Sequence, residues 1–332
     1  LDARRILARE VTRKSRLFLL TFATGLLPLS GILTLTTGYQ WTRIETPDSP
    51  VQRQGYAMAY DSDRGKVVMF GGFNSNFRYM LNETWEWDGK EWSEIPIDPA
   101  SRPEPRFLMS MVYDSARKKI VMYGGGDVVQ WRGYEDTWEY DGTTWTQRNV
   151  KGPGIRGGYA MAYDESRGKT VLYGGMDLDL KPIAGLWEWD GNQWLRVVVQ
   201  ESPSPRCYIF SAYDSRRQKM VLFGGTDHNK MFGDTWEWDG ITFSKVSESG
   251  PEPRIWGSMA YDKSSGRMIL FGGGTDLIDS DPKRSLGDTW EWDGRSWTLI
   301  NDIALLPREM ITMTYDARRR KMVWFGGISK ET

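Results

Sequence analysis

The sequence predicts an all-β fold, a β-propeller of six four-stranded blades, and three regularities support this prediction. In each repeat an arginine stands seven residues before a Tyr-Asp pair, and a Gly-Gly pair begins ten residues after that aspartate. The tyrosines recur every 48 to 54 residues, and most intervals hold four short strand-like segments. A repeat of this length with several strands is typical of propeller blades. The tyrosines of these pairs are Tyr60, Tyr113, Tyr163, Tyr213, Tyr261 and Tyr315.

The N-terminal extension, residues 1–37, has the charge pattern of an export segment. Six arginines and lysines precede an uncharged run from Leu17 to Thr37. A helix of about 20 apolar residues can cross a bilayer, and a basic flank stays in the cytoplasm. We therefore expect a signal peptide or membrane anchor, with the propeller (38–332) periplasmic, at the cell surface or membrane-anchored. The alternative is that this run is a buried helix or a strand of the propeller.

Each full repeat divides into four strands, called a to d, and the first repeat illustrates the reasoning. Strand a alternates large and small residues, whereas strand b is a continuous apolar run that both faces would bury. Asp61 to Gly65 between a and b, and Asp88-Gly89 between c and d, have the chemistry of tight turns. The expected bounds are 54–60 for a, 66–70 for b, 84–87 for c and 91–95 for d.

The order Arg, Tyr-Asp, Gly-Gly and Trp-Glu-Trp-Asp-Gly followed by Trp resembles the kelch repeat, in the form common in bacterial proteins. The resemblance covers roughly residues 38 to 327 and implies a kelch-type propeller, similar to the central propeller of galactose oxidase. Many kelch repeats have a histidine three residues after the arginine, and its role does not transfer here. That position holds Tyr56, Met109, Tyr159, Ile209, Gly257 and Ile311.

The sixth repeat has strands a and b, and then the sequence ends at Thr332. At the other end, residues 37–44 look like a turn followed by strand d. Kelch-like propellers often close with one blade built from both termini, and closure removes exposed sheet edges. Strand c of that blade is missing unless Ile32 to Thr36 supplies it, which competes with the export prediction. The other alternative is a chain that continues beyond Thr332, with seven or more blades.

The b–c loops vary most between repeats, so we predict that they form the binding face. Aromatic side chains beside arginines and carboxylates suit a protein or glycan ligand. The alternative is that these are ordinary solvated loops with some rings packed down. The candidate ligand-binding residues are Phe77, Arg78, Tyr79, Trp131, Arg132, Tyr134, Asp177, Asp227 and His228.

The repeated arginines at the start of strand a are predicted to form a ring near the mouth of the central channel. Such a ring would attract a carboxylate or an acidic peptide. The alternative is structural pairing, for instance with the strand c glutamates Glu86, Glu139, Glu188, Glu237 and Glu291. The arginines are Arg53, Arg106, Arg156, Arg206, Arg254 and Arg308.

The composition argues against catalysis, so we predict a non-enzymatic binding scaffold without a cofactor or metal. Cys207 is the only cysteine and His228 the only histidine, which cannot rebuild the copper site of galactose oxidase. A rival prediction is a sugar-acting enzyme similar to kelch-type sialate mutarotases, with Arg78, Arg132, Asp177 and Asp227 as candidates. A third is a structural array within a longer surface protein. The formal charge of −1 gives no general attraction to nucleic acid, and a membrane is expected to be contacted only through the N-terminal segment.

Overall fold

The computed structural model describes residues 32–36, 40–74, 79–276, 285–301 and 307–328, and nearly all of its regular structure is β. One 3₁₀ turn, Pro99–Ser101, is the helical element of these ranges. The strands, in chain order, are β1 (Ile32–Thr36), β2 (Gln40–Ile44), β3 (Ala57–Asp61), β4 (Lys66–Phe70), β5 (Phe73–Asn74), β6 (Tyr79–Met80), β7 (Thr84–Trp87), β8 (Trp92–Ile95), β9 (Ser110–Asp114), β10 (Lys119–Tyr123), β11 (Gly126–Asp127), β12 (Arg132–Gly133), β13 (Thr137–Tyr140), β14 (Trp145–Arg148), β15 (Ala160–Asp164), β16 (Lys169–Tyr173), β17 (Leu186–Trp189), β18 (Trp194–Val197), β19 (Phe210–Asp214), β20 (Lys219–Phe223), β21 (Thr235–Trp238), β22 (Phe243–Ser247), β23 (Ser258–Asp262), β24 (Arg267–Gly274), β25 (Ser285–Trp292), β26 (Trp297–Asn301), β27 (Met313–Asp316) and β28 (Lys321–Phe325).

Five blades are each built from one contiguous repeat, and each is a four-stranded antiparallel sheet in the order a-b-c-d. They are β3-β4-β7-β8, β9-β10-β13-β14, β15 to β18, β19 to β22 and β23 to β26, called blades 1 to 5. Strands b and c of blade 1 have the predicted bounds, and strand a begins three residues later than predicted. Counted as contiguous repeats, the propeller therefore has five blades rather than the six expected from the sequence.

The sixth repeat lies in a composite sheet whose strands come from both ends of the sequence. Its order is β27-β28-β1-β2, so β1 occupies the position of strand c and β2 that of strand d. Thr34 is paired with Val323 on one side and with Thr42 on the other. The end of the uncharged run Leu17 to Thr37 thus forms strand β1 of this sheet. This is the alternative that the sequence left open. Residues 1–31 lie outside the described ranges, so export stays a prediction.

The composite sheet packs between blades 5 and 1. Trp41 on β2 lies 5.1 Å from the ring of Phe271 in blade 5 and donates a hydrogen bond from Nε1 to Thr289 Oγ1 (3.2 Å). On the other side, Val323 and Phe325 share a buried apolar cluster with Tyr56 of blade 1. Both flanks of this sheet are therefore covered by neighbouring blades.

A chain of backbone hydrogen bonds links the blades around the channel, at the residue two positions after each repeated arginine. All six of these residues have φ between 55° and 64°, the left-handed region. Leu108 N donates to Gly55 O (2.9 Å), and Gly55 N donates to Met310 O (3.2 Å), which joins blade 1 to the sixth repeat. The six residues are Gly55, Leu108, Gly158, Tyr208, Trp256 and Met310.

The core lies between neighbouring sheets, where strand b is buried on both faces as predicted. Val67, Val68, Met69 and Phe70 of β4 are all inaccessible to solvent. One aromatic side chain of strand c packs on one of strand d in the outer part of each of blades 1 to 5, as Trp87 and Trp92 do at 5.6 Å. Each buried ring contributes about 1.5–3 kcal/mol to the free energy of folding by its transfer from water. This contribution is gained only because a neighbouring blade covers the ring.

Candidate functional site

The two faces of the propeller are built differently. On one face the short a–b turns are closed by the repeated aspartates: Asp61 Oδ1 accepts hydrogen bonds from the backbone N–H groups of Asp63 and Arg64, both at 3.1 Å. These aspartates are turn formers, as the sequence indicated. The other face has the longer b–c and d–a loops, and the candidate residues belong to it.

The six repeated arginines do not present a charged ring to the channel, because their side chains are buried within the blades. Arg106 has no exposed surface; its Nη1 donates to Gly124 O (3.0 Å) and to Asp136 Oδ1 (2.5 Å). Burial alone would raise the pKa of Asp136, but Arg106 holds that pKa below its usual value. The predicted anion-attracting ring is therefore corrected: these arginines fasten the start of strand a to the end of strand b.

Their partners also differ from the glutamates suggested by the sequence. The carboxylates that they contact precede strand c, as in the pairs Arg53 with Glu83, Arg206 with Asp234 and Arg254 with Asp288. The strand c glutamates lie further toward the short-turn face, and those of blades 1 to 4 pair with other arginines. Glu86, for example, accepts from Arg64 Nη1 at 2.5 Å. The repeated arginines do not reach the strand c glutamates because the two lie toward opposite ends of the strands in each blade.

An apolar cleft on the loop face brings three predicted residues together. It lies between the b–c loops of blades 2 and 3 and has a volume of about 70 Å³. Trp131, Arg132 and Asp177 are among its lining residues, and Trp131 keeps 37% of its surface exposed. Besides Trp131, its apolar wall consists of Phe107, Leu108, Val128, Ile155, Met176, Leu178 and Leu180.

The two loops beside this cleft are shaped by aspartates. Asp127 Oδ1 accepts from the backbone N–H groups of Val129 (2.7 Å) and Gln130 (2.9 Å). Asp177 Oδ1 does the same for Asp179 and Lys181, both at 2.9 Å. Asp177 thus acts as a loop cap, and these turns carry Trp131 and Leu180 into the left-handed region, at φ 54° and 60°.

The other candidates from blades 1 and 2 do not join the cleft. Tyr134 is buried, and its ring lies under Arg106, with the guanidinium carbon 4.0 Å from the ring centroid. Tyr79 is exposed in the β5-β6 ribbon of blade 1. Phe77 and Arg78 lie outside the described residues.

Asp227 and His228 form a separate feature in the b–c loop of blade 4. Asp227 Oδ1 accepts from the backbone N–H groups of Lys230 (2.8 Å) and Asn229 (2.9 Å); partial burial opposes ionisation, but these donors keep the pKa of Asp227 below its usual value. His228 Nε2 lies 3.6 Å from Cys207 Sγ. Burial raises the pKa of the Cys207 thiol to about 12, so it stays protonated at neutral pH. The arrangement therefore does not supply a thiolate nucleophile.

The sequence reasoning missed the lining of the central channel. Two cavities there, of about 200 and 250 Å³, share a belt of side chains two positions before each repeated tyrosine. The signal was present in the sequence, because five of these six positions hold methionine. The belt consists of Met58, Met111, Met161, Ser211, Met259 and Met313.

Comparison with known proteins gives no family for this chain. The sequence matches no protein-family model. It also matches no curated protein. Within the described ranges, no group of three or more His, Cys, Asp or Glu side chains is arranged so that it could bind a metal ion. No helix in the described part of the chain combines the length and apolar character needed to cross a membrane.

Proposed function

We propose that this protein is a non-enzymatic binding scaffold that holds a protein partner on the b–c loop face, with one apolar side chain of the partner in the cleft between blades 2 and 3. The observation that carries the proposal is the cleft itself. Its wall is almost entirely apolar, and its rim includes the half-exposed indole of Trp131. A pocket beside an exposed tryptophan has the composition of a protein-interface hot spot.

Exposed apolar side chains next to the cleft support the same proposal. Val129 and Leu178 are exposed beside Trp131 on the same pair of loops. Exposing apolar surface and holding Trp131 and Leu180 at positive φ both cost stability, of the order of 1–3 kcal/mol for each strained residue. A binding surface offers a reason for retaining both. A glycan would need more convergent polar groups than the wall supplies, so a protein is the favoured partner.

We further propose that the chain is a kelch-type propeller in which the composite sheet acts as a sixth blade. Trp145 of blade 2 donates from Nε1 to Thr84 of blade 1 (2.9 Å), and Trp297 of blade 5 donates to Thr235 of blade 4 (2.8 Å). Trp41 makes the matching bond from the composite sheet to Thr289. The same contact between adjacent sheets supports a ring of six.

Export is retained as part of the proposal, with the propeller outside the cytoplasm. Because β1 begins at Ile32, the uncharged run ahead of it is Leu17 to Gly31. Fifteen residues match the apolar core of a signal peptide better than a full membrane span. We propose that any cleavage falls before Ile32, since cleavage near Thr37 would remove β1.

The test is selection of peptides from a displayed library on the immobilised propeller, followed by measurement of Kd for variants. Selected peptides should share one large apolar residue, and Leu178→Asp should weaken binding by about 30-fold, the loss of a hot spot worth about 2 kcal/mol. Val198→Asp is the matched control, because Val198 is 90% exposed on the outer edge of blade 3. Equal binding by both variants would overturn the proposal. Glycan binding with the same dependence on Leu178 would replace the protein partner by a sugar.

A further inference from the structure

Blade 3 departs from the other blades at one position, just before strand c. Blades 2, 4 and 5 have Asp136, Asp234 and Asp288 there, and blade 3 has Gly185. The carboxylate residue is two residues before the first tryptophan of strand c in the other four blades, with Glu83 in blade 1, so the alignment of Gly185 with it is fixed by Trp187.

In blades 2, 4 and 5 this aspartate accepts hydrogen bonds from an arginine and a tryptophan side chain at once. In blade 5, Asp288 receives Arg254 Nη1 on Oδ1 (2.6 Å) and Arg254 Nη2 on Oδ2 (2.9 Å). Trp290 Nε1 donates to the same Oδ2 at 2.6 Å. The arrangement is a bidentate arginine–carboxylate pair completed by an indole N–H, which is a strong charge-assisted set.

Blade 3 keeps the framework of this site without the carboxylate. Gly174 N donates to Gly185 O (3.3 Å), as Gly124 N does to Asp136 O (3.1 Å). Arg156 Nη1 donates to Gly174 O at 3.1 Å, as its counterparts do in their own blades. A Cβ built on Gly185 would lie 3.4 Å from Trp187 Nε1, so this position lies beside the indole N–H, to which the aspartate carboxylate is bound in blades 2, 4 and 5.

The donors of blade 3 lack the acceptor that the other blades provide. Arg156 is 5% exposed, and its Nη1 donates to Gly174 O without the carboxylate oxygen that its counterparts also reach, while its Nη2 donates to Pro153 O instead. Its Nε, which in Arg106 and Arg254 donates to the backbone carbonyl two residues earlier, has no hydrogen-bond partner in the described part of the chain. Burial lowers the pKa of Arg156, and a second cation, Arg196, contributes to that lowering. Arg196 lies directly across from Trp187 on the neighbouring strand. Arg156, Arg196 and the Trp187 indole therefore lie near a position that holds a carboxylate in the other blades and glycine in blade 3.

We propose that blade 3 binds the carboxylate of a ligand at this point, between Arg156 and Trp187, in the place of the missing aspartate side chain. Arg156 and Trp187 donate to its two oxygens, and Arg196 adds positive charge at the opening. The site is reachable, because the side chains of Asp136, Asp234 and Asp288 keep 15–19% of their surface exposed. Arg156 also lines the apolar cleft, but Trp187 and Gly185 do not, so the carboxylate position is distinct from the cleft and can be filled without it.

The test follows the indole N–H resonances of ¹⁵N-labelled protein while sodium acetate replaces sodium chloride at constant ionic strength. The Trp187 resonance, assigned with Trp187→Phe, should shift and saturate. The Trp236 resonance is the internal control, because its Nε1 already donates to Asp234 at 2.7 Å. An acetylated alanine tripeptide with a free C-terminal carboxylate, compared with its amide, distinguishes a chain terminus from a small free anion as the source.

Two matched variants separate the effect of adding a carboxylate at position 185 from the effect of straining the backbone there. Gly185 has φ 122°, so Gly185→Asp and Gly185→Ala carry a similar backbone cost. Gly185→Asp supplies the carboxylate within the chain and should remove the acetate response, whereas Gly185→Ala should keep it. Arg196→Gln, at an exposed position, should weaken the response by about tenfold or less, the effect of one nearby charge. A Trp187 resonance that stays still with acetate and with both peptides, or that moves only together with Trp236, would overturn the proposal.

Discussion

The short-turn face and the loop face of this propeller are made from the same repeats, yet the short-turn face varies far less from blade to blade. On the short-turn face, Arg117 bridges Asp114 and Glu139 and also reaches the c–d turn of the next blade at Gly191 O. Arg64, Arg167 and Arg217 repeat the bridge in their blades, and in blade 5 Ser265 takes this position and donates to Asp262. On the loop face, each b–c loop differs in length and in the side chains that it exposes. Repetition therefore marks scaffold, and departures from repetition mark candidate binding positions.

The largest effect is expected where the scaffold is closed. Removing residues 1–37 deletes β1 and leaves β28 without its neighbour, whereas removing residues 1–31 keeps all four strands of the composite sheet. We expect the longer deletion to lower the melting temperature by about 10 °C relative to the shorter one, as for a loss of several kcal/mol. Circular dichroism melting of both proteins measures this difference. Equal melting temperatures would show that β1 does not hold the ring together.

A second prediction applies one substitution to both faces. Arg117→Met leaves the carboxylates of Asp114 and Glu139 buried with less compensation, and we expect a loss of about 3 kcal/mol. Arg132→Met on the loop face removes an exposed cation that stacks on Tyr134, and should cost about 0.5 kcal/mol or less. Urea unfolding of the two variants gives the comparison. Similar losses would contradict the division into scaffold and binding face.

The smallest effect concerns acid stability. Burial opposes ionisation of Asp164, but Tyr213, Ser166 and Arg167 keep its pKa below the ordinary 3.8. A carboxylate with a depressed folded-state pKa stabilises the fold above its unfolded pKa, and this contribution disappears as the pH falls through the folded value. Stability should therefore decline below about pH 4, and less steeply in Asp164→Asn. Asp227→Asn, on the loop face, should change the slope of unfolding free energy against pH less, because the hydrogen bonds that Asp227 accepts come from its own exposed loop. Urea unfolding between pH 7 and pH 3 checks both variants.

The strand pattern could be predicted from the sequence because its signals are local. Strand b is a run of apolar residues and strand c ends at an Asp-Gly turn, so both bounds could be read directly. Strand a begins later than predicted, at Ala57, because Gly55 takes a left-handed conformation and bonds to the next repeat. That contact joins residues far apart in sequence, so no local sequence pattern predicts it.

The candidate site was predicted in part. Loop variability pointed to Trp131, Arg132 and Asp177, and these line one cleft. Tyr134 is only two residues from Arg132, yet its ring turns inward onto Arg106. Leu178 and Leu180 were passed over because isolated apolar residues in a loop have no periodicity to interpret. Which loop residues meet depends on the packing of one blade against the next.

The sequence by itself determined the repeat, the strands, the tight turns and the one full repeat that lacks a carboxylate before strand c. Those features follow from local periodicity and turn chemistry. Only the tertiary structure decided that the repeated arginines are buried, that β1 completes the composite sheet, and that Arg156 faces a glycine where its counterparts face a carboxylate. Each of these is a contact between segments 18 or more residues apart, and such contacts are fixed by the burial and hydrogen bonding of the whole ring.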